Sequence, residues 1–311
     1  MKFSIAFLNC GKLSIDGEYG GSIASTISAA VGNDPHIVGL CEVYDQANVP
    51  KIVIDLGKKT NKKYDLLMSD AYPPSPRLGI LIDKTLGRLQ QVGDDEHFRH
   101  GKDWRHWLAG RVELFTPGTR VPSLQQIVVI ANHWTSMSRG RQDTMSHREI
   151  LAWEVGSWMC STDKNSRQVL LDGSGHPVPV YRQPSIAMGD FNCEPGSHEL
   201  RSNRKFTLQA MRNEPAFWKK VNFNQNTRAL MYDLSWRKLT AAPASAVPGT
   251  YGVSEDIHSP AMLDRILVSE ALWKGPDMQV ALDGSNQAMR IIPAVKKCTD
   301  HSAVAITVET K

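Results

Sequence analysis

Short apolar runs, rich in β-branched residues, recur along the whole chain and are the feature that most constrains its fold. Each run is between five and seven residues long, which suits a β-strand and is too short for a stable helix. Nine runs fit this pattern: SIAFLN (4–9), IVGLCE (37–42), YDLLMS (64–69), LGILID (78–83), GRVELF (110–115), IVVIANH (127–133), IAMGDFN (186–192), RILVS (265–269) and AVAITV (303–308).

Three longer stretches between these runs have the apolar spacing and end signals of helices. They are SIASTISAAVG (22–32), VPKIVIDLGKKTNKK (49–63) and SHREILAWEVGSWM (146–159). Ser22 is the predicted cap of the first helix. Because strands and helices are mixed over the full length, we predict one layered α/β domain, residues 1–311, rather than two. The longest segment without a regular pattern is 213–262.

Composition and motif content exclude several classes of protein. Apolar residues make up 41% of the chain and charged residues 22%, which is typical of a globular protein. Every apolar run is much shorter than the roughly 20 residues that cross a bilayer. The N-terminus lacks the apolar length and cleavage site of a signal peptide, so we predict a cytoplasmic protein with no membrane partner. Neither GxGxxG nor GxxxxGK[ST] follows a strand, which argues against nucleotide-cofactor folds.

The five cysteines are odd in number, widely scattered and without a CxxC pair. This pattern indicates neither a disulfide framework nor a zinc site, and no disulfide-linked partner is expected. Cys10, Cys41 and Cys193 stand beside polar strand ends. A role as small packing residues explains them most simply.

The basic residues are clustered, although the net charge is only +4 and the pI about 8.7. The clusters lie at 98–107, 138–148 and 200–205, and the first two include Trp or His. Clustered Arg and Lys with interleaved aromatic residues suit a phosphate backbone. Solvated surfaces produce such clusters as well, so any single cluster carries little weight.

Polar side chains with catalytic potential stand at the ends of six predicted strands. They are Asn9, Glu42, Asn132 with His133, Asp190 with Asn192, Asp264, and Asp300 with His301. Each one alone is explained as a turn residue or a satisfied polar group. A turn-forming role does not explain why so many strands end in this way, so the set as a whole predicts a reaction site.

The residue types fit metal-assisted hydrolysis of a phosphodiester. Glu42, Asp300 and Asn9 offer the hard oxygen ligands that Mg²⁺ prefers, and Mn²⁺ or Ca²⁺ could substitute. Hydrolysis also needs an activated water, a positive group over the developing charge and a proton for the leaving oxygen. Asp190 and the two histidines could divide these tasks, while the neutral amide of Asn192 could orient water or phosphate.

In their order along the chain, these motifs resemble the endonuclease/exonuclease/phosphatase superfamily. The resemblance rests on Asn9, Glu42, His133, GDFN (189–192), LDRI (263–266) and TDH (299–301), and it covers nearly the whole chain. CEVYD (41–45) and LDRILV are similar to runs of the pancreatic deoxyribonuclease branch. The resemblance implies a four-layer α/β/β/α sandwich of two packed, mostly antiparallel mixed sheets, with all these loops at one edge.

The resemblance also implies a role for each matching residue. Glu42 would ligate the metal, with Asn9 and Asp300 in the same polar site. Asp190 would handle the attacking water, and Asn192 would hold the water or the phosphate. His301, oriented by Asp264, would contact the phosphate or transfer a proton. His133, oriented by Asp70, would act on the leaving-group side.

Substrate contacts are expected at four further positions. Tyr44 stands where deoxyribonucleases have an Arg, and it could stack against sugar. Arg105 and Arg111 compete for the role of a phosphate-binding Arg ahead of the GRVELF strand, and Asn132 precedes His133. Residues 194–262 match the family only generally, apart from GTY (249–251), and are expected to determine the substrate.

The leading hypothesis is a Mg²⁺-dependent phosphodiester hydrolase that cuts nucleic acid, with DNA as the substrate. Its rival within the superfamily is a phosphatase or phosphodiesterase acting on inositol phosphates, lipid headgroups or small nucleotides. A third hypothesis is a scaffold that keeps the fold without catalysis. The full set of polar strand ends argues against the scaffold, because binding alone does not need all of them.

Overall fold

The computed structural model describes most of the chain. The described residues are 1–11, 19–32, 34–43, 48–69, 76–94, 106–136, 141–161, 170–171, 176–202, 204–223, 228–241, 250–251, 261–284, 287–294 and 299–311. Within these ranges, each helix is either too short or too polar to cross a membrane.

Sixteen strands, six α-helices and two short 3-10 helices, Val180–Arg182 and His198–Leu200, make up the regular structure of the described residues. The strands are β1 (Lys2–Asn9), β2 (Ile37–Val43), β3 (Tyr64–Met68), β4 (Arg77–Asp83), β5 (Gly87–Asp94), β6 (His106–Phe115), β7 (Pro122–His133), β8 (Leu170–Leu171), β9 (Pro177–Val178), β10 (Ser185–Asp190), β11 (Leu208–Met211), β12 (Ala229–Asp233), β13 (Asp264–Val268), β14 (Met278–Val280), β15 (Met289–Ile292) and β16 (Ala303–Thr310). The helices are α1 (Tyr19–Ala30), α2 (Asn48–Thr60), α3 (Arg141–Cys160), α4 (Glu214–Phe223), α5 (Ser235–Ala241) and α6 (Glu270–Trp273).

Two mixed sheets of seven strands each form the centre of the molecule. The first sheet has the order β14-β16-β1-β2-β4-β3, with β15 also paired to β16, and the second has the order β11-β12-β13-β10-β7-β6-β5. Most neighbours are antiparallel, and the parallel pairs are β1 with β2, β10 with β7 and β11 with β12. The predicted mixed, mostly antiparallel sheets are confirmed.

The strands are apolar on both faces because each sheet is covered on both sides. Between the sheets lies a core that includes Phe7 and Ile80 from the first sheet and Val129 and Met188 from the second. Helices α1 and α2 pack on the outer face of the first sheet, and α3 packs on the outer face of the second. The predicted α/β/β/α layering is therefore confirmed.

All nine predicted strands are present, with bounds that differ by a few residues. The first helix begins at Tyr19, so Ser22 is not its cap: the Ser22 carbonyl accepts a hydrogen bond from Thr26 Oγ1, as an interior helical residue can. The segment 213–262 is not irregular throughout, because α4, β12 and α5 lie within it. These elements are short, so the sequence of the segment shows no clear helical or strand periodicity.

Strand direction and register bring the polar strand ends to one edge of the sandwich. β1 and β2 are parallel, with Asn9 opposite Cys41 and therefore next to Glu42. In the second sheet, Asp190 pairs with His133 on one side and with Asp264 on the other. Pairing thus fixes the neighbours within each sheet, and packing of the two sheets joins the two groups.

Candidate functional site

Asn9 lies at the centre of the polar cluster and joins the two sheets. Its Nδ2 lies 3.0 Å from Asp190 Oδ2, 3.3 Å from His301 Nε2 and 3.4 Å from Glu42 Oε1. Its Oδ1 accepts a hydrogen bond of 2.9 Å from the backbone N–H of Gly11, which fixes the orientation of the amide. Asn9 therefore presents a donor to the acidic residues, and its role as an oxygen ligand of a metal stays a prediction.

Glu42 reaches the cluster through an irregularity in its strand. The register between β2 and β4 shifts between Leu40 and Val43, and Glu42 has a φ of 55°. A left-handed backbone at a residue with a Cβ costs roughly 1–2 kcal/mol, and such strain is concentrated at functional sites. The turn brings Glu42 Oε1 to 3.1 Å from His133 Nε2.

The GDFN loop has a second left-handed residue, Asn192, with a φ of 47°. Its backbone N–H donates to Asp190 Oδ1 at 2.9 Å, and its side-chain Nδ2 donates to the Trp134 carbonyl at 2.9 Å. Gly189 is required by close packing, because a Cβ there would lie 2.3 Å from the carbonyl oxygen of Asn132. The loop is thus tied to the end of β7 on one side and to Asp190 on the other.

His301 is held by a buried carboxylate. Its Nδ1 lies 2.7 Å from Asp264 Oδ2, and its Nε2 lies 4.0 Å from Asp190 Oδ2. Burial alone would lower the pKa of His301, but the negative charge and hydrogen bond of Asp264, with smaller contributions from Asp190 and Asp300, raise that pKa to about 10. At neutral pH His301 is therefore a cation fixed beside the carboxylates.

Asp190 is also buried in this cluster, and its pKa is raised. Removal from water is the main cause, and the neighbouring charge of Asp264 adds to it, while His301 and His133 act in the opposite direction. The site therefore concentrates two acidic and two imidazole groups that strongly influence one another.

Two groups of donor atoms have the spacing of a metal site. The first is Glu42, His133 and Asp190, and the second is Asp190, Asp264 and His301, with the atoms of each group within 4.8 Å of one another. In addition, Asp264 Oδ1 is buried and makes no hydrogen bond to the described residues. Carboxylate oxygens suit a divalent cation, so the residues fit one. Asp300 is nearby, with Oδ1 3.9 Å from His301 Nε2, but its side chain is 59% exposed.

Comparison with known proteins agrees with this arrangement. The model of the Endonuclease/Exonuclease/phosphatase family matches residues 8–301, almost the whole chain. The chain belongs to the endonuclease/exonuclease/phosphatase family. Its members hydrolyse phosphoester bonds with the help of a metal, and the acidic and imidazole cluster is consistent with that chemistry. No curated protein is significantly similar to the chain in sequence.

Solved structures of the family share the fold at low sequence identity. A humanized D. rerio TDP2 with 14 mutations is 16% identical, with a TM-score of 0.57 and 99% of each chain covered. The catalytic domain of human Nocturnin with a bound sulfate is 14% identical, with a TM-score of 0.53, 100% of this chain covered and 95% of the other. ANGEL2, a 2',3'-cyclic phosphatase, in complex with adenosine-2',3'-vanadate, is 14% identical, with a TM-score of 0.57, 99% of this chain covered and 95% of the other.

Two residues predicted as substrate contacts lie away from the cluster of family residues. Asn132 is fully buried on the α3 side of β7, where its Oδ1 accepts a hydrogen bond from the Trp134 indole at 3.3 Å. It alternates with His133, and alternate residues of a strand face opposite sides of the sheet. Arg111 lies five residues from the site end of β6, and its guanidinium donates to Gln90 at 2.7 Å. The geometry supports a structural role for both.

Three predicted site residues lie outside the part of the chain that the structure describes. They are Tyr44, Asp70 and Arg105. Their roles stay predictions.

The structure adds residues to the site that motif reading left out. Thr250 Oγ1 accepts hydrogen bonds from the backbone N–H groups of Leu263 and Asp264, at 3.0 and 2.8 Å. The Tyr251 ring lies edge-on to the His301 ring, with 4.9 Å between centroids. Burial and the negative charge of Asp300 raise the pKa of Tyr251. The GTY pattern was the only sequence signal for these residues.

Proposed function

We propose that the protein is a Mg²⁺-dependent phosphodiester hydrolase that cuts nucleic acid, with DNA as its substrate. The observation that carries the proposal is the convergence of Asn9, Glu42, His133, Asp190 and the Asp264–His301 pair at one edge of the two sheets. Family membership supports phosphoester hydrolysis. The similarity of CEVYD and LDRILV to deoxyribonuclease motifs supports DNA.

The carboxylates of Glu42 and Asp190 would hold the divalent cation. When bound, the cation would supply charge stabilisation at a phosphoryl oxygen and make water a better nucleophile. Asn9 keeps both carboxylates in place, because its Nδ2 lies 3.0 Å from Asp190 and 3.4 Å from Glu42. We propose Mg²⁺ because the hard oxygens of carboxylates are the ligands that it prefers.

Asp190 would accept the proton of the attacking water. Its Oδ1 is engaged by the backbone of Asn192 and its Oδ2 by Asn9, so the carboxylate has one defined orientation. Asn192, held against the Trp134 carbonyl, stands beside Asp190 and would hold the water or a phosphate oxygen without adding charge. Fixed geometry of this kind is a large part of catalysis.

The two histidines would act on the phosphate and on the leaving group. His301 directs Nε2 into the cluster while Asp264 holds Nδ1, so the cationic imidazole would contact the phosphate. His133, with Nε2 3.1 Å from Glu42, would donate a proton to the leaving oxygen.

A cleavage assay tests this proposal. Supercoiled plasmid, single-stranded DNA and RNA are each incubated with wild-type protein in Mg²⁺ or in EDTA. Asp190→Asn keeps the shape of the side chain but removes its charge, and Asp277→Asn is the matched control at an exposed acid outside the cluster. We expect Mg²⁺-dependent DNA cleavage by wild type and Asp277→Asn, and a loss of about 10²-fold or more in Asp190→Asn.

Other outcomes would favour the rival functions. Release of phosphate from a small phosphoester or a 2',3'-cyclic nucleotide, with all nucleic acids intact, would contradict the nuclease proposal and favour a phosphatase. Binding of nucleic acid without turnover, equal in wild type and Asp190→Asn, would favour a scaffold.

A further inference from the structure

One edge of the second sheet carries an excess of positive charge outside the site. Residues 196–228 contain seven Lys and Arg residues and two acidic residues, a net charge of +5 against +4 for the whole chain. We call the seven exposed or partly exposed basic residues of this region the edge strip: Arg201, Arg204, Lys205, Arg212, Lys219, Lys220 and Arg228.

Both acidic residues of this region pair with basic residues outside the edge strip. Glu199 is buried and accepts a hydrogen bond of 2.8 Å from the buried Arg148. Glu214 pairs with Arg237 at 3.3 Å and also with Lys274. Neither acid therefore neutralises the edge strip.

The edge strip begins beside the GDFN loop. Arg201 donates to the carbonyl of Gly196, which lies four residues after Asn192, at 3.3 Å. A Cβ on Gly196 would lie 3.1 Å from the Trp236 ring, and the Arg212 guanidinium is 5.3 Å from the centre of that ring. This end of the strip is a cationic and aromatic surface next to the site.

From there the edge strip follows β11, the outermost strand of the second sheet. β10 and β12 are both antiparallel to β13, and β11 is parallel to β12, so all three strands point their carboxyl ends toward the site. Arg212 follows β11 at that end, and Arg204 precedes it at the other. The four residues of β11 itself, Leu208–Met211, span about 10 Å of extended chain.

Three cations of the edge strip, Lys220, Arg228 and Arg201, lie close enough together to influence one another. The pKa of Lys220 is lowered by burial first, and then by the positive charges of Arg228 and Arg201. The Arg204 side chain is 74% exposed and forms an ion pair with Glu149, with Arg204 Nη1 3.8 Å from Glu149 Oε2. Like charges held together are unfavourable unless an anion lies between them.

An exposed aromatic residue stands among these cations. Phe206 follows Lys205, is 43% exposed and has a φ of 58°. A phenyl ring that is exposed and held by a left-handed backbone contributes little to the core. Exposed aromatic rings among basic residues are typical of surfaces on which unpaired bases stack.

We propose that the edge strip binds the single-stranded nucleotides that flank the scissile phosphate, an inference that rests on the proposed function. The basic side chains contact successive phosphates, and Phe206 offers a face for stacking. Single-strand binding folds have site sizes of at least about four nucleotides, and we take this as the minimum for a track that runs along β11 and past both of its ends. Single strands fit better than duplexes because their bases are free to stack.

Binding is measured with a charge-reversal variant in EDTA, so that no cleavage occurs. Lys205→Glu/Lys220→Glu removes two exposed cations of the strip, and Lys58→Glu/Lys59→Glu on α2 is the control with the same change in charge. The probes are fluorescein-labelled dT12 and dT3, followed by anisotropy at several salt concentrations.

We expect the strip variant to bind dT12 at least tenfold more weakly than wild type and the control to bind within twofold of it. The slope of log K against log salt should become shallower by about 1.4, since each phosphate contact on a single strand contributes about 0.7. The dT3 probe, which is shorter than the minimum of about four nucleotides, should be affected much less. Equal losses in both variants, or equal losses on both probes, would overturn the proposal.

A second variant tests the aromatic part of the track. Phe206→Ala should weaken dT12 binding several-fold and leave the salt slope unchanged, because stacking does not release counterions. Wild-type affinity for dT12 in this variant would remove Phe206 from the track. Binding to vesicles that contain phosphatidylserine is a further control. If wild type binds the vesicles as tightly as dT12 and the strip variant binds neither, the surface is a membrane site and the proposal fails.

Catalysis is measured separately, so that the two proposals can fail independently. Hydrolysis of bis-p-nitrophenyl phosphate with Mg²⁺ needs the cluster but not the strip, and the strip variant should keep the wild-type rate and circular dichroism spectrum. If wild type hydrolyses neither this diester nor DNA, the proposed function fails while the EDTA binding result still decides the strip. If hydrolysis is normal and dT12 affinity is unchanged, only the strip proposal fails.

Discussion

Thr250 is one of the residues on which the geometry of the site depends. Its hydroxyl oxygen accepts from the N–H groups of Leu263 and Asp264, and its carbonyl accepts from the N–H of Ser302. It therefore links the strand that carries Asp264 to the loop that carries His301. A side chain outside the reacting groups fixes the distance between them.

Replacement of Thr250 by Val should remove this link. The two buried N–H groups would lose their acceptor, at a cost of about 1–3 kcal/mol each in unfolding free energy. We expect Thr250→Val to be less stable in urea unfolding and to lose phosphodiesterase activity, and Thr250→Ser, which keeps the hydroxyl, to retain most of both. Val and Ser variants that behave alike would show that the hydroxyl is dispensable.

Arg265 contacts the GDFN loop from the interior of the protein. It is fully buried, with Nη1 3.0 Å from Asp233 Oδ2 and Nη2 3.2 Å from Cys193 Sγ. Its guanidinium also lies 5.0 Å from the centre of the Phe191 ring. The ion pair thus joins the ends of β12 and β13 to the loop that follows β10.

Removal of one partner of this pair should cost more than removal of both charges. Arg265→Met leaves the Asp233 carboxylate buried without its cation, which typically costs about 3–5 kcal/mol. In the double variant Arg265→Met/Asp233→Asn, no charge is left unpaired, and we expect a loss in unfolding free energy well below the sum of the single losses. A double-mutant cycle by chemical denaturation measures the coupling, and additive losses would contradict the pairing.

At the scale of elements, α3 is held against β11 by a glycine. A Cβ on Gly156 would lie 2.1 Å from Leu208 N and 2.2 Å from Thr207 C, both backbone atoms. Backbone atoms cannot move aside as the end of a long side chain can. The close approach sets the position of the edge strand that the edge strip follows.

Gly156→Ala should therefore destabilise the protein, although alanine is favoured in helices by about 1 kcal/mol. Overpacking of this kind costs typically about 1–3 kcal/mol, so the sign of the change opposes helix propensity. Thermal unfolding should show a lower Tm for Gly156→Ala and little change for Ser157→Ala, the neighbouring control on the same helix. A higher Tm for Gly156→Ala would show that the two elements are not in tight contact.

The turn between β4 and β5 is stabilised by Asp83. Its Oδ1 accepts from the N–H and hydroxyl of Thr85, at 2.9 and 2.8 Å, and its Oδ2 lies 2.9 Å from Lys62 Nζ, after the end of α2. Burial alone would raise the pKa of Asp83, but the hydrogen bonds of Thr85 and Lys62 and the charge of Lys62 lower it below the ordinary value. The charged form is therefore favoured by the folded state.

This shift gives a pH dependence with a definite sign. A carboxyl group whose pKa is lower in the folded state contributes stability above its unfolded pKa of about 3.9 and loses it as pH falls through the folded value. We expect wild type to exceed Asp83→Asn in unfolding free energy at about pH 6, and the difference to shrink at about pH 3. Urea unfolding at both pH values measures it, and a difference that grows toward low pH would contradict the assignment.

At the scale of the whole molecule, the site is complete only when the two sheets pack together. Asn9, Glu42 and His301 come from the first sheet or the loops at its edge, while Asp190 and Asp264 come from the second. Gly39 allows the close contact beneath the site, because a Cβ there would lie 2.6 Å from Met188 Cε. If Glu42 and Asp190 hold the cation as proposed, its binding would stabilise the packing of the two sheets.

Mg²⁺ should therefore raise the Tm of the protein in a concentration-dependent way. A ligand that binds only the folded state stabilises it by about 2.7 kcal/mol at a concentration of 100 Kd. EDTA should reverse the increase, and Glu42→Gln should abolish it, while Asp277→Asn, at an exposed acid outside the cluster, should keep it. The same Mg²⁺ shift in wild type and Glu42→Gln would place the cation elsewhere.

The sequence by itself determined the strands and most of the residues that converge at one edge of the two sheets. Nine apolar runs predicted nine strands, because a buried strand needs a continuous apolar segment of that length. The polar residues at their ends predicted the cluster, because neighbouring strands bring their ends to one edge. GDFN, LDRI and TDH identified the family before any geometry was known.

Only the tertiary structure decided how the participants are oriented. The left-handed backbones of Glu42 and Asn192, the donor that Asn9 presents to the carboxylates, and the position of Thr250 depend on contacts between residues far apart in sequence. Asn132 and Arg111 lie away from the cluster for the same reason, since the face and level of a strand residue depend on its neighbours. A local pattern specifies which side chains are available, and packing of the two sheets specifies where their atoms lie.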